Sequence, residues 1–204
     1  MNETKRTEII KNILKQYEQS EKGECVEKND EYFMKAALLL ARQAASEGEI
    51  PVGCVIARDG QILCGDYNGR ETFKDALYHA ESAAIKRASA MLGGCRLTRC
   101  TLYVTLEPCP MCAGAVWASR VPKVVIGAKD ARAGALGSLI NLNSYPLNHK
   151  PEVVFGVMEN ECRELMQSFF LNRRREKKES QNNFAESDSA QSAVALLYER
   201  TKKP

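Results

Sequence analysis

The chain has 204 residues, of which 44% are hydrophobic and 27% charged, and its net charge at pH 7 is +3. Such a composition is typical of a globular domain with additional segments, and no apolar run approaches the roughly 20 residues of a membrane span. The N-terminal stretch is charged throughout, unlike a secretory signal, so we expect a cytoplasmic protein whose eight cysteines are mostly reduced.

The first half of the chain predicts an extension, a helix and a hairpin. Residues 1–29 form the extension, which carries apolar residues at helical spacing and then a polar stretch, so it is partly helical or loose. A helix is predicted from an N-cap at Asp30 to a stop at Gly48. Two alternating apolar runs on either side of Asp59 and Gly60 predict a β-hairpin.

The second half alternates between helix-like and strand-like segments. A helix begins near His79 and ends at Gly93, and it is followed by a strand, TLYVTL, and a second helix, PCPMCAGAVWASR. KVVIGA completes a βαβ unit, and EVVFGV is a further strand. The fold class is therefore α/β, with helices on the faces of a sheet. Residues 30–178 are predicted as the domain, and residues 179–204 as a polar, disordered tail.

Five of the eight cysteines lie within or beside apolar segments and are predicted to be small buried residues: Cys54, Cys64, Cys95, Cys100 and Cys162. Two others stand out because they form a C-x-x-C unit at the start of a predicted helix. Pro110 suits the first helical position, which places Cys109 at the N-cap and Cys112 in the first turn. The positive end of a helix favours the thiolate form of cysteine, and thiolates are ligands for zinc. Two thiolates leave a tetrahedral zinc ion short of ligands.

His79 is predicted to be the third ligand. Three protein ligands leave one coordination position open to water, which is typical of catalytic zinc rather than structural zinc. Glu81, two residues later in the first turn of the same helix, is predicted to carry a proton from that water to the substrate. Each motif alone is weak, and a histidine near a helix start is often only a surface residue, but the two motifs in this order favour a catalytic site.

The motifs His79-Ala80-Glu81 and Pro108-Cys109-Pro110-Met111-Cys112 give the H-x-E…P-C-x-x-C signature of zinc-dependent nucleobase deaminases. Flanking stretches, such as EIPVGCVI and SFFLNRRR, make residues 30–178 similar to the bacterial tRNA-specific adenosine deaminases of TadA type. The resemblance implies a cytidine deaminase-like three-layer α/β/α fold with a central five-stranded mixed sheet. It further implies a homodimer with one Zn²⁺ per subunit and hydrolysis of a wobble adenosine to inosine in a tRNA anticodon stem-loop.

The resemblance also implies residues that contact the substrate. Asn68 would bind the flipped base, and further positions would line the pocket or meet neighbouring nucleotides. These are Pro51, Val52, Ala80, Asp130, Phe169, Phe170, Arg173 and Arg174. Aromatic rings stack on unpaired bases and arginines bind phosphates, and residues 163–178 hold six basic side chains against two acidic ones.

Two alternatives remain open at the level of the sequence. A deaminase of a free base or nucleoside (cytosine, guanine or cytidine) would share the zinc ligands but would have no use for SFFLNRRR. A catalytically inactive subunit or a zinc-stabilised RNA-binding module would need no Glu81 and would be expected to hold zinc with four protein ligands. His149, the second histidine of the chain, is expected to be a structural hydrogen-bonding residue outside the zinc site.

Overall fold

One mixed sheet organises the computed structural model, which describes residues 1–21 and 28–200. Its five strands, in spatial order β2-β1-β3-β4-β5, are β1 (Gly53–Arg58), β2 (Gln61–Tyr67), β3 (Cys100–Leu106), β4 (Lys123–Ala128) and β5 (Glu152–Phe155). The pairs β1–β2 and β1–β3 are antiparallel, whereas β3, β4 and β5 run parallel. The predicted five-stranded mixed sheet is confirmed.

The predicted hairpin joins β1 to β2. Asp59 and Gly60 form its turn, and both have positive φ angles, 51° and 74°. Two successive left-handed residues give the turn whose twist matches that of the flanking strands, and Asp-Gly is a favoured sequence for it.

Helices cover both faces of the sheet. The α-helices of the described chain are α1 (Glu3–Ser20), α2 (Asp30–Ser46), α3 (Arg70–Phe73), α4 (Ala80–Leu92), α5 (Pro110–Ala118) and α6 (Glu159–Arg200), and those that pack on the sheet are α1, α2, α4, α5 and the first turns of α6. Val55 and Ala57 of β1 pack with α1 and α2, whereas the alternate residues Cys54 and Ile56 pack with α4 and α5. Successive side chains of a strand point to opposite faces, so both sides of β1 are buried and three layers result.

Helix boundaries follow the sequence signals closely, with one correction. The N-cap of α2 is Asn29, whose side chain accepts a hydrogen bond from the Tyr32 amide at 3.0 Å, so Asp30 is the first helical residue and not the predicted cap. Gly93 ends α4 in the left-handed conformation, as its position predicted.

The described backbone divides into two compact units, residues 1–166 and the residues from Gln167 onward. The first unit contains the sheet and the helices from α1 to α5. The second unit is the continuation of α6, whose helical backbone is described as far as Arg200. The predicted limits of the extension, the domain and the tail remain predictions. Among the described residues, no helix combines the length and the apolar character needed to cross a membrane.

Candidate metal centre and active site

The starts of two helices bring three potential metal ligands together. His79 is the N-cap of α4, Cys109 is the N-cap of α5, and Cys112 lies in the first turn of α5. The Nδ1 atom of His79 lies 3.6 Å from the Sγ atom of Cys109 and 3.6 Å from that of Cys112. All three ligand atoms lie within 4.8 Å of one another. The structure therefore assembles the three residues that the sequence singled out.

The spacing of these atoms fits zinc. Tetrahedral zinc with bonds of about 2.3 Å to sulfur and about 2.0 Å to nitrogen requires a sulfur–nitrogen separation of roughly 3.5 Å. The observed separations are 3.6 Å. Within the part of the chain that the structure describes, the cluster has three members, which leaves the fourth position of a tetrahedral ion available to water.

The two cysteines differ in protonation. A hydrogen bond from Cys112, together with one from His79, lowers the pKa of the Cys109 thiol to about 4. Donating that hydrogen bond, and burial, raise the pKa of Cys112. These opposite directions favour the thiolate at Cys109, as expected at a helix N-terminus, and the protonated thiol at Cys112 when no metal is bound. Because zinc binds thiolates, its binding would release the Cys112 proton.

Glu81 lies beside the cluster, in the first turn of α4. Its side chain is only 4% exposed, and burial raises the pKa of its carboxyl group to about 7. Two side chains that are two positions apart inside a helix normally face different directions. At the start of α4, however, the N-cap residue and a first-turn residue can both reach past the end of the helix. His79 and Glu81 accordingly line the same cavity. A carboxyl group that titrates near neutral pH can both accept and release a proton.

The cavity has a volume of about 160 Å³ and lies beyond the carboxyl end of β3. Its lining consists of Ile50, Val52, Asn68, Arg70, His79, Glu81, Leu106, Glu107, Cys109, Asp130 and Ala133. Of the predicted substrate-binding residues in residues 1–166, Val52, Asn68 and Asp130 are in this lining. Pro51 and Ala80 are buried and do not contribute to it, because the cavity is formed by their neighbours Val52 and Glu81.

Sequence reasoning missed a buried carboxylate that holds Asn68. Glu49 is 1% exposed; its Oε2 accepts a hydrogen bond from Nδ2 of Asn68 at 3.0 Å, and its Oε1 accepts one from the amide of Thr72 at 2.6 Å. This pair of contacts fixes the side-chain amide at the edge of the cavity. The signal was a charged residue directly before the apolar run IPVGCVI.

A second missed carboxylate organises the part of the cavity lining that includes Asp130. Glu107 is 2% exposed and accepts hydrogen bonds from the amides of Asp130 (3.1 Å), Leu136 (3.0 Å) and Ser138 (3.0 Å). The hydroxyl of Ser138 also donates to it. Glu107 therefore shapes the loop that carries Asp130, and its position between a strand and a proline was the available signal.

The remaining candidates lie away from the metal cluster or in the second unit. The ring of His149 is hydrogen-bonded through Nε2 to the carbonyl oxygen of Val121 at 2.8 Å, which confirms its structural role. Phe169, Phe170 and Arg173 lie on α6, where Cζ of Arg173 is 5.7 Å from the centroid of Phe169. Arg174 is exposed on the same helix.

The cysteines outside the cluster are mostly buried, as predicted, with one exception. The seven cysteines in the described residues are all free thiols. Cys54, Cys64, Cys100 and Cys162 are buried, but Cys95 is exposed in the loop after α4, so it is not the small buried residue that its neighbours suggested. The eighth, Cys25, lies outside the described residues.

Zinc-dependent deaminases are the class of protein that these features define. The features are the three-layer α/β/α fold, the His-Cys-Cys cluster at two helix starts and the buried glutamate beside it. Comparison with known proteins agrees: the sequence pattern of the cytidine and deoxycytidylate deaminase zinc-binding region matches residues 27–128. The tRNA-specific adenosine deaminase of Bacillus subtilis (strain 168) is 47% identical over 158 residues, which are 77% of this chain and 98% of that protein. The enzyme of the same name from Streptococcus pyogenes serotype M18 is 43% identical over 150 residues, 73% of this chain and 94% of the relative.

Solved structures give the same result. A structure from studies of A-to-I editing by tRNA:A34 deaminases at the wobble position of transfer RNA is 39% identical, with a TM-score of 0.64 over 66% of this chain and 98% of that one. Guanine deaminase from Nitrosomonas europaea has a TM-score of 0.62 over 76% of this chain and 91% of its own, but at 22% identity it shows the fold alone. The chain belongs to the tRNA-specific adenosine deaminases within the zinc-binding cytidine and deoxycytidylate deaminase family.

Proposed function

We propose that the chain catalyses the hydrolytic deamination of adenosine to inosine at the wobble position of a tRNA anticodon. The observation that carries this proposal is the cavity in which two ligands of the zinc cluster, a buried Glu81 and the amide of Asn68 face the same space. The substrate follows from the relatives, because the chain spans 98% of the tRNA-specific adenosine deaminase of Bacillus subtilis.

Glu81 is the proposed proton carrier. A zinc ion held by His79, Cys109 and Cys112 supplies the Lewis acidity that makes water a usable nucleophile near neutral pH. Water adds to C6 of the base, the C6–N6 bond breaks, and ammonia leaves as inosine forms. Glu81 takes a proton from the water and delivers it to N1 of the base, and it then transfers the remaining hydroxyl proton to N6, so that the amino group leaves as ammonia and the C6 oxygen becomes the carbonyl of inosine. Its pKa of about 7 suits both halves of that transfer.

Asn68 is the proposed base-binding residue. The hydrogen bond from Nδ2 to Glu49 fixes the orientation of its amide, and an amide has a second N–H and an oxygen with which to bind a base. The cavity of about 160 Å³ is smaller than the roughly 300–1,000 Å³ of pockets for drug-sized ligands, which suits one base taken out of its stack. An unpaired anticodon-loop base is inexpensive to extrude. Val52 is proposed to line the pocket of this base, and Asp130 is proposed to contact a neighbouring nucleotide.

The basic segment of α6 is the proposed RNA contact. The rings of Phe169 and Phe170 lie 5.5 Å apart in an edge-to-face arrangement, and Phe170 is 43% exposed. The exposed ring of Phe170 and the half-buried ring of Phe169 can stack on loop bases, while the guanidinium groups of Arg173 and Arg174 bind phosphates.

We further propose that the protein is a cytoplasmic homodimer. Leu139, Ile140 and Tyr145 are 56%, 41% and 56% exposed within one short loop region, which favours contact with another protein surface. The substrate of the proposed reaction and the free cysteines both suit a reducing compartment that contains tRNA.

The test is incubation of the zinc-loaded protein with anticodon stem-loops that differ only at the wobble base. Inosine, detected by mass spectrometry after nuclease digestion, is expected with adenosine at that position and is not expected when adenosine is moved to a paired stem position. Free adenosine, guanine, cytosine and cytidine are assayed in parallel for ammonia release. Turnover of a free base or nucleoside without turnover of any stem-loop would contradict the proposal.

A further inference from the structure

The N-terminal helix α1 inserts one arginine directly behind the segment that carries Asn68. Arg6 is fully buried, with 0% exposure. Its Nη2 atom donates hydrogen bonds to the carbonyl oxygens of Tyr67 and, at 3.0 Å, Asn68. Its Nε atom donates to Oδ1 of Asp66 at 2.9 Å. The guanidinium thus contacts three consecutive residues that lead into the cavity wall.

These contacts complete a clamp on two peptide units. The amide of Asn68 donates to the carbonyl of Val52 at 2.9 Å, and the amide of Gly69 donates to the carbonyl of Tyr78 at 3.1 Å. The carbonyl oxygens of the same two peptide units accept the hydrogen bonds from Arg6. Each peptide plane is therefore held from both sides, and its rotation is restricted where the Asn68 side chain leaves the backbone.

Aromatic rings enclose the guanidinium. Its Cζ atom lies 3.5 Å from the ring centroid of Tyr67, 5.0 Å from that of Tyr78 and 5.4 Å from that of Phe73. Tyr78 and Phe73 stack on each other at 4.4 Å. Tyr78 directly precedes the metal ligand His79, so the cage joins the wall that carries Asn68 to the start of α4.

The buried carboxylate that pairs with Arg6 also pairs with a second arginine, so the fold does not depend on Arg6 alone. Asp66 is 1% exposed, and its second oxygen accepts a hydrogen bond from Arg87 at 2.7 Å. Removing a single partner of a buried ion pair is destabilising when it leaves a charge unpaired. Here Arg87 still neutralises Asp66, and the other carboxylate near Arg6, that of Glu47 at 3.8 Å from Nη1, is partly exposed to solvent. A neutral residue in place of Arg6 is therefore expected to leave the domain folded.

We propose that Arg6 is a positioning residue that fixes Asn68 for base binding, so that helix α1 is part of the working active site. The inference rests on the proposed function of Asn68. Helix α1 ends at Ser20, before the deaminase region matched at residues 27–128, and its arginine nevertheless reaches the substrate wall. Arg6 acts only through the backbone of Tyr67 and Asn68 and has no contact with the cavity in the described structure.

The test is a double-mutant cycle on the zinc-loaded, full-length protein, with kcat and KM measured on the adenosine anticodon stem-loop. Arg6→Met is expected to lower kcat/KM by roughly ten- to a hundredfold, the range that follows from misplacing a substrate-binding group by a fraction of an ångström to 1 Å. In the Asn68→Ala background the same change is expected to have little further effect on kcat/KM, because the side chain that Arg6 positions is already absent. Lys11→Met, on the exposed face of α1, is the matched control and should change neither constant.

The opposite outcomes overturn the inference. An equal factor from Arg6→Met in both backgrounds would mean that Arg6 only supports the fold, and an unchanged kcat/KM would mean that it does not position Asn68. Hydrogen exchange gives a readout independent of activity: the amides of Asn68 and Gly69 should exchange faster in Arg6→Met than in Lys11→Met, while zinc content stays the same. Unchanged exchange rates would also refute the inference. Inactivity of the unmodified protein on every stem-loop would instead contradict the proposed function.

Discussion

Replacing Glu81 with glutamine isolates proton transfer from metal binding. The two side chains have nearly the same shape, but the amide cannot carry a proton. Because Glu81 is 4% exposed, bulk water cannot readily take over its role, and its pKa of about 7 places it where proton transfer is most effective at neutral pH. Loss of a positioned acid–base group costs roughly 10²–10⁴ in rate, which corresponds to about 3–5.5 kcal/mol of barrier, and we expect the upper part of that range.

The assay is single-turnover formation of inosine on the adenosine anticodon stem-loop, with zinc measured on the same samples. Glu81→Gln should keep one zinc ion per chain, since none of His79, Cys109 and Cys112 is altered. Glu152→Gln, at an exposed position of β5, is the control and should behave as the unmodified protein. Zinc retained at full occupancy with a rate near that of the control would refute the proton-carrier role.

Three further predictions concern the metal cluster, the RNA contact and the core. Cys112→Ala should abolish zinc binding and activity together, and a protein that stays active with bound zinc would contradict the ligand assignment. Truncation after Phe170 should reduce stem-loop turnover far more than turnover of free adenosine; equal losses would argue against an RNA contact. Gly53→Ala would place a Cβ atom 2.1 Å from a backbone oxygen of α2 and should prevent folding, judged by circular dichroism and thermal melting, whereas Gly94→Ala, with open space around it, should cost under about 1 kcal/mol.

Local sequence signals predicted the parts of the site that depend on neighbouring residues. Pro110 after Cys109 marks the start of α5, so the helix start that holds the two cysteine ligands could be predicted from the sequence. Gly93 similarly marks the end of α4. The alternation of apolar residues on either side of Asp59-Gly60 was similarly sufficient for the β1–β2 hairpin. The position of His79 beside a C-x-x-C unit 30 residues away came from the zinc chemistry of the residue types.

Contacts between distant residues were not readable in the same way. A charged side chain in an amphipathic segment indicates a solvated face, yet Arg6 is buried against Asp66, 60 residues away. The sequence around Glu49 and Glu107 shows a charged residue beside an apolar segment, but it does not show which distant amide groups donate hydrogen bonds to the two carboxylates. Val52 lines the cavity and Pro51 does not. This difference depends on how the chain packs around the start of β1, and it cannot be predicted from the two residue types.

The coordination of the bound metal tests the central claim most directly. X-ray absorption spectroscopy on the zinc-loaded protein should show two sulfur ligands, one imidazole nitrogen and one light oxygen donor from solvent, with zinc–sulfur bonds of about 2.3 Å. Displacement of the solvent donor by an added inhibitory anion, visible as a change in the same spectrum, would agree with an accessible fourth position. A fourth side-chain ligand in place of solvent would contradict a hydrolytic role for this centre.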